Sequence, residues 1–181
     1  MPQIQQIAKA RKSAGTCLHC HQQIAPGDAY LKIEPYTGPT KVIHQRCGPF
    51  RSSEQESNED LSEFYRAQED AVQQIGEWFP QEGSVADLES VLEEFRDRCQ
   101  EIGDQVQEKF DNMPEGLQQG DVGQTLEERA QNFGDVDADP SLEDFEEEEE
   151  ESKETRQKRY HDWMEEQRSA AMDAVEGVDI S

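Results

Sequence analysis

The sequence is poor in apolar and basic residues, and each shortage excludes a class of protein. Only 33% of the 181 residues are hydrophobic, so the chain cannot bury a large core throughout its length. Lysine and arginine number 17 against 42 acidic residues, and the net charge of −25 repels nucleic acid and anionic membranes at long range. No apolar run approaches the roughly 20 residues of a membrane helix, so we expect no membrane partner.

Cysteine is also scarce, and it is concentrated in one place. Three of the four cysteines lie between Cys17 and Cys47, together with His44. The stretch MPQIQQIAKARK lacks the continuous apolar core of a signal peptide. We therefore expect a cytoplasmic protein (in the host cytoplasm if it is viral), where thiols stay reduced and such a cluster favours a metal over a disulfide.

The few basic residues are unevenly distributed. Residues 1–51 carry seven basic and two acidic side chains, a balance of +5, so the other 130 residues carry −30. The basic head has the charge to bind nucleic-acid phosphates, with one aromatic side chain placed for stacking. The candidate residues are Lys9, Arg11, Lys12, Lys32, Tyr36, Lys41, Arg46 and Arg51. Alternatively, these charges are scattered and only keep a small domain soluble.

Local patterns predict a β-hairpin in the head. Residues 2–12 fit a short basic helix with both isoleucines on one side. Residues 30–34 and 41–44 alternate as two strands, with a Pro-Gly turn before the first and a Pro/Gly-containing turn between them. The polar stretch 51–57 has the composition of a linker.

The cysteines and histidine have the spacing of a zinc site. The pattern is Cys17-x2-Cys20, then 23 residues, then His44-x2-Cys47. Zinc prefers four tetrahedral thiolate or imidazole ligands, and a two-residue gap lets one tight turn supply both ligands of a pair. A head with so few apolar residues needs such a staple, since structural zinc contributes about 10 to 16 kcal/mol of apparent binding energy to folding. We predict one structural Zn²⁺.

Two other interpretations remain open for the first cysteine pair. Cys17 and Cys20 could form a disulfide or a redox dithiol, but the redox motif needs a βαβ context and leaves the second pair unexplained. His19 and His21 are competing donors that we expect to lie on the surface. Four protein ligands saturate zinc and leave no position for water or substrate, which argues against metal catalysis. The sequence also shows no organised set of catalytic groups, so we expect neither an enzyme nor a small-molecule substrate.

The ligand order Cys-Cys-His-Cys, with the segments KSAGTCLHC, IAPGD and VIHQRC, resembles the zinc finger of the poly(ADP-ribose) polymerase type. The resemblance covers residues 12–51 and implies recognition of DNA breaks through a finger held by the same four ligands. In addition, a small finger followed by NMPEGLQQGDVGQTLEERA is similar in layout to tailed-bacteriophage proteins to which no activity is assigned.

Behind the head, helical periodicity dominates. Residues 57–79 have an apolar face that ends in Trp78 and Phe79, which we expect to close the helix. Residues 84–113 carry a heptad seam of a and d positions, typical of a coiled coil. The seam residues are Val85, Leu88, Leu92, Phe95, Cys99, Ile102 and Val106. A short connection between the two helices predicts an antiparallel helical hairpin.

The last third of the chain alternates helix signals with an acidic run. Thr125 and Glu128 fit a capping box for a short helix that ends at Phe133. Residues 134–151 hold 11 acidic and no basic residues, which predicts a disordered linker. Residues 152–175 predict a terminal amphipathic helix with Tyr160 and Trp163 on its apolar face. Cys99 and His161 fit a core residue and a surface residue, respectively.

Together these patterns predict a zinc-stapled β-hairpin finger (1–51), a helical hairpin with a short helix (52–133), an acidic disordered linker (134–151) and a C-terminal amphipathic helix (152–181). The leading functional hypothesis is a non-enzymatic binding protein whose finger contacts DNA or RNA, or a complex that processes it, while the helices bind protein. One alternative is an assembly factor whose seam pairs with another chain around a purely structural zinc. Another is an acidic inhibitor that mimics DNA.

Overall fold

The computed structural model describes residues 4–34, 39–56, 58–147 and 152–180. These residues form five β-strands and six α-helices. The chain divides into two compact units, residues 1–66 and 67–181, whereas the sequence placed the first boundary after residue 51. A small β-rich head followed by a mainly helical region is therefore confirmed. Among the helices of the described ranges, none is both long and apolar enough to span a membrane.

The first unit is built on two small antiparallel sheets. Its strands are β1 (Ile4–Ile7), β2 (Gly15–Thr16), β3 (Gln23–Ile24), β4 (Tyr30–Ile33) and β5 (Lys41–His44). In the larger sheet, β4 lies between β1 and β5, with Tyr30 opposite His44 and Ile33 opposite Lys41. In the smaller sheet, β2 pairs with β3. The two strands predicted at residues 30–34 and 41–44 are confirmed; the turn predicted between them falls mostly on residues outside the described ranges.

The predicted N-terminal helix was wrong. Residues 4–7 form β1, which pairs with β4 so that Ile4 faces Ile33 and Ile7 faces Tyr30. Apolar residues three apart fit one turn of a helix, but a helix this short is marginal in water. As a strand, this segment forms backbone hydrogen bonds with β4. An isolated helical turn would form fewer backbone hydrogen bonds and would be less stable.

The core of the first unit is small and includes one of the predicted ligands. Its buried members are Ala10, Cys17, Ile24, Ile33, Val42, Ile43 and Phe50. The partly buried Cys20 and Cys47 pack against it, so three cysteines belong to this cluster. A core of this size supports a fold only marginally without a further constraint.

The helices are α1 (Ser52–Gln55), α2 (Glu59–Glu77), α3 (Ala86–Asp111), α4 (Glu115–Gln118), α5 (Asp121–Gly134) and α6 (Lys153–Glu176). The stretch predicted as a linker contains α1, whose Ser53 is buried. The long helices α2, α3 and α6 agree with the periodic patterns. By contrast, α5 begins at Asp121, and Thr125 lies inside it with its hydroxyl bonded to the Asp121 carbonyl oxygen. The predicted capping box at Thr125 was therefore wrong.

The heptad seam of α3 forms the core of the second unit. All seven seam residues are buried, with exposed fractions of 4% or less. An ion pair of 3.0 Å joins Arg98 of α3 to Asp70 of α2, but the closest backbone neighbour of α3 is α5. Gly103 permits this approach, since an added Cβ would lie 3.1 Å from the Ala130 carbonyl oxygen. The tight helix pair is thus α3 with α5, and the seam is covered within the chain.

The segment predicted to be a disordered linker is anchored instead. Residues 135–147 contain no helix or strand but run back along α3 toward its first turn. Arg96 donates to the Ala138 carbonyl oxygen, Asp144 accepts from the Val85 N–H, and the Phe145 N–H donates to Gly83. Charge counting missed this because it records the excess of acidic residues and not the individual bonds that Arg96, Asp144 and backbone groups make. Residues 148–151 lie outside the described ranges.

The terminal helix α6 packs antiparallel to α2. Near its start, the Tyr160 hydroxyl donates to the Pro80 carbonyl oxygen; further along, Arg168 donates to Trp78, and near its end Val175 accepts from Gln68. An aromatic cluster closes this corner of the unit. Its rings belong to Trp78, Phe145, Tyr160 and Trp163, with neighbouring centroids 5.1 to 5.9 Å apart. Phe79, which was expected to help close the first helix, is 71% exposed.

Candidate metal centre

Two turns of the first unit present the predicted ligands. Cys17 directly follows β2, and the His21 N–H donates to its carbonyl oxygen at 3.0 Å, which closes a tight turn around Cys20. His44 is the last residue of β5, and Cys47 ends the 3₁₀ turn that follows it, Gln45–Cys47. Strand β5 and the turn after it therefore place His44 and Cys47 next to Cys17 and Cys20.

The four side chains converge on one point. The ligand atoms of Cys17, Cys20, His44 and Cys47 all lie within 4.8 Å of one another. The Cys20 Sγ is 3.3 Å from the His44 Nδ1. A tetrahedral zinc with bonds of about 2.0 to 2.3 Å separates its ligand atoms by roughly 3.5 to 3.8 Å. The spacing therefore fits one metal ion of this kind, and all four cysteines of the chain are free thiols.

The surroundings of the cluster favour deprotonation of the Cys17 thiol and oppose deprotonation of the Cys47 thiol. Burial raises the pKa of Cys17, but hydrogen bonds from the backbone N–H groups of Cys20, His44 and His19 lower it, leaving a pKa of about 6. Burial and the neighbouring thiols of Cys20 and Cys17 raise the pKa of Cys47 to about 11. A cation at the centre would remove this repulsion, since metal coordination deprotonates thiols.

Asp28 lies behind the candidate ligand His44, a placement that the sequence reasoning missed. The imidazole of His44 is 2% exposed, with Nδ1 toward Cys20 and Nε2 3.5 Å from the Asp28 Oδ2. The carboxylate is held by the Ala25 N–H at 2.8 Å. A carboxylate behind a histidine fixes the tautomer that binds a metal. One signal was available, because Asp28 is one of only two acidic residues in the basic head.

His19 lies beside the cluster without belonging to it. Its Nδ1 is 3.0 Å from the Cys47 carbonyl oxygen, and its Nε2 is 3.0 Å from both carboxylate oxygens of Glu54 in α1. Because both partners only accept hydrogen bonds, the ring can donate to both of them only when both of its nitrogens carry a proton. Glu54 raises the pKa of His19 accordingly. The expected surface histidine therefore links the second ligand pair to α1, whereas His21 is exposed.

The candidate nucleic-acid residues are not equivalent in the structure. Lys32 pairs with Glu34, the Lys41 ammonium donates to the Glu54 carbonyl oxygen, and Arg46 donates to Gln22 at 3.1 Å. Lys9, Arg11 and Lys12 lie exposed in the loop between β1 and β2, and Arg51 is exposed before α1. Tyr36 lies outside the described ranges. The loop brings three of the eight candidates together.

Cys99 and His161 are distant from this cluster in sequence and belong to the second unit. Cys99 is fully buried in the α3 seam, where burial raises the pKa of its thiol to about 12. This agrees with the prediction of a core residue. His161 is exposed on α6, also as predicted.

Comparison with protein-family models, with curated proteins and with solved structures finds no match to this chain.

Proposed function

We propose that the chain is a non-enzymatic zinc-binding protein whose finger contacts nucleic acid, or a complex that processes it, while the helical unit contacts protein. The observation that carries the zinc part is the convergence of Cys17, Cys20, His44 and Cys47 within 4.8 Å. Three thiols and one imidazole form a donor set that suits zinc better than the oxygen-seeking cations. Full occupancy by protein ligands makes the ion structural.

Charge supports the nucleic-acid part. Residues 1–51 carry a balance of +5 in a protein whose net charge is −25, so positive charge is concentrated in the finger. Phosphate contacts by lysine and arginine supply most of the sequence-independent affinity for nucleic acid. For the protein-binding part, the helical unit exposes large apolar side chains, with Leu117 54% and Val122 61% exposed. We propose these two side chains as contact points for a protein partner, which would bury their apolar surface.

Elemental analysis of the purified protein tests the zinc part. We expect one zinc per chain, lost in a Cys47→Ser variant because a three-ligand site binds the ion far more weakly. Cys99→Ala is the matched control: it removes a cysteine outside the cluster and should keep the zinc. A wild-type protein that carries no metal and has reactive thiols would overturn the proposal and redirect attention to redox chemistry.

A further inference from the structure

We infer that the loop between β1 and β2 is the part of the finger that grips phosphates, through Lys9, Arg11 and Lys12, and that its partner is the backbone of a nucleic acid. This inference rests on the proposed function and makes it more specific. Among the eight candidate residues, we assign the phosphate contacts to these three. Lys32, Lys41 and Arg46 are no longer candidates for them.

The first observation is that this loop is held rigidly at its centre. Ala10 is buried, its N–H donates to the Asp28 carbonyl oxygen at 2.8 Å, and its own carbonyl oxygen accepts from the Gly27 N–H at 2.8 Å. Gly27 supplies this bond with a φ of +102°, a conformation that favours glycine. The Ala14 N–H donates to Ile24 at the far end. The cations flanking Ala10 are therefore mounted on a fixed backbone, which lowers the entropy cost of binding.

The second observation is that these cations are free. Within the described ranges, the side chains of Lys9, Arg11 and Lys12 make no hydrogen bond or ion pair. The other basic side chains of the two hairpin strands and the following turn, Lys32, Lys41 and Arg46, each contact a group of the protein. A phosphate that bound Lys32, Lys41 or Arg46 would have to displace the group that each side chain already contacts. A phosphate that bound the loop cations would displace no protein group.

The third observation is the shape of the surface around the loop. Lys9, Arg11 and Lys12 border a groove of about 580 Å³ that also includes Ser13 and the half-buried Tyr30. On the other side, Lys9 and Arg11 border a second depression with Pro26 and Gly27. Cations on the ridge between two grooves, with hydroxyl donors beside them, suit a chain of successive phosphates better than one isolated anion.

The same surface is a poor membrane anchor. Surface attachment to anionic lipid typically uses clusters of four to eight basic residues or an inserted apolar side chain. The loop offers three cations, and its remaining residues from Ala8 to Ala14 are alanines and a serine. The observations therefore favour nucleic acid over a lipid surface.

Fluorescence anisotropy with the full-length protein tests the inference. The probes are fluorescein-labelled single-stranded DNA, its duplex, and RNA of the same sequence, titrated between about 50 and 200 mM salt. The loop variant carries Lys9→Gln, Arg11→Gln and Lys12→Gln. The matched control carries Lys32→Gln, Lys41→Gln and Arg46→Gln, which changes the net charge equally. Zinc content is measured for both variants to establish that each finger is folded.

We expect the loop variant to lose at least tenfold in affinity, and the slope of log K against log salt to become shallower by about 2 to 3, since each lost phosphate contact removes roughly 0.7 to 0.9. The control should bind like the wild type. Equal losses in both variants would overturn the assignment to the loop while leaving the proposed function intact. A zinc-loaded wild type that binds none of the three probes would overturn this inference and the nucleic-acid contact of the proposed function, while the zinc part would stand.

Discussion

Asp28 illustrates, at the scale of a single residue, how a charge is placed behind a candidate metal ligand. At 3.5 Å from the His44 Nε2, its carboxylate would act on a bound ion's ligand mainly through its negative charge, which favours the tautomer with the proton on Nε2 and with Nδ1 available to a metal. We predict that Asp28→Asn, which removes the charge and keeps the shape, weakens zinc binding about tenfold. Competition with a zinc chelator of known affinity measures the change.

Glu34→Gln is the control for that variant. It removes an equal charge from an exposed residue that pairs with Lys32, so zinc affinity should stay within about twofold of the wild type, as for most surface changes. If the two variants lost the same affinity, the effect would come from net charge and Asp28 would have no orienting role.

The convergence of the four candidate ligands could be predicted from the sequence, but the residues that contact them could not. A two-residue gap restricts both side chains of a pair to one turn, so the motif is visible in the residue order. Asp28 and Glu54 reach the cluster only because of strand register and the position of α1, which arise from long-range pairing. Sequence spacing carries no information on such contacts.

At the scale of secondary structure elements, periodicity predicted the elements whose pattern is unambiguous. The strands β4 and β5 alternate, and α2, α3 and α6 repeat apolar residues over many turns. The spacing of the two isoleucines in β1 fits either a helix or a strand. The segment is a strand because it pairs with β4. The packing of α5 on α3 depends on the missing side chain of Gly103, whose importance is visible only when the helices meet.

Substitution at this glycine tests the helix pair. In Gly103→Ala, the new Cβ would lie 3.1 Å from the Ala130 carbonyl oxygen and 3.2 Å from the Phe133 Cβ. Overpacking of a close contact costs about 1 to 3 kcal/mol, against a gain in helix propensity of about 1 kcal/mol. We predict a net loss of about 1 kcal/mol in the free energy of unfolding, measured by urea denaturation.

Gly116→Ala is the comparison variant, for which we expect no loss in the free energy of unfolding. Nothing lies within 4 Å of a Cβ placed at Gly116, which lies in α4, so the substitution should be neutral or stabilise by up to about 1 kcal/mol. If both alanine variants were stabilised alike, the close approach of α5 to Gly103 would be contradicted.

At the scale of the whole molecule, charge is divided between the two units. Residues 1–66 hold eight basic and seven acidic side chains, whereas residues 67–181 hold nine basic and 35 acidic ones. Self-repulsion of a strongly charged unit destabilises its compact state, and salt screens it, since the Debye length falls from about 30 Å at 0.01 M to about 3 Å at 1 M.

We therefore predict that the second unit melts at a higher temperature as NaCl rises from about 0.01 to 1 M, by roughly 5 °C, which corresponds to about 1 kcal/mol for a unit of this size. Tryptophan fluorescence reports on this unit alone, because Trp78 and Trp163 both lie in it. The control is an uncharged osmolyte at equal osmolality. It stabilises the protein only by being excluded from its surface, so any additional rise in melting temperature with NaCl comes from charge screening. A melting temperature that stayed constant or fell with salt would contradict the prediction.

The packing of α6 on α2 can form only late in synthesis, because the two helices are far apart in the sequence. Arg168 donates to the carbonyl oxygen of Trp78, a residue made 90 positions earlier. At about 5 to 20 residues per second, Trp78 is synthesised roughly 5 to 20 s before the helix that covers it. During that interval the part of α2 and of the following turn that α6 later covers stays exposed in the nascent chain, even though α3, which is made earlier, can already pair with α2 through Arg98 and Asp70.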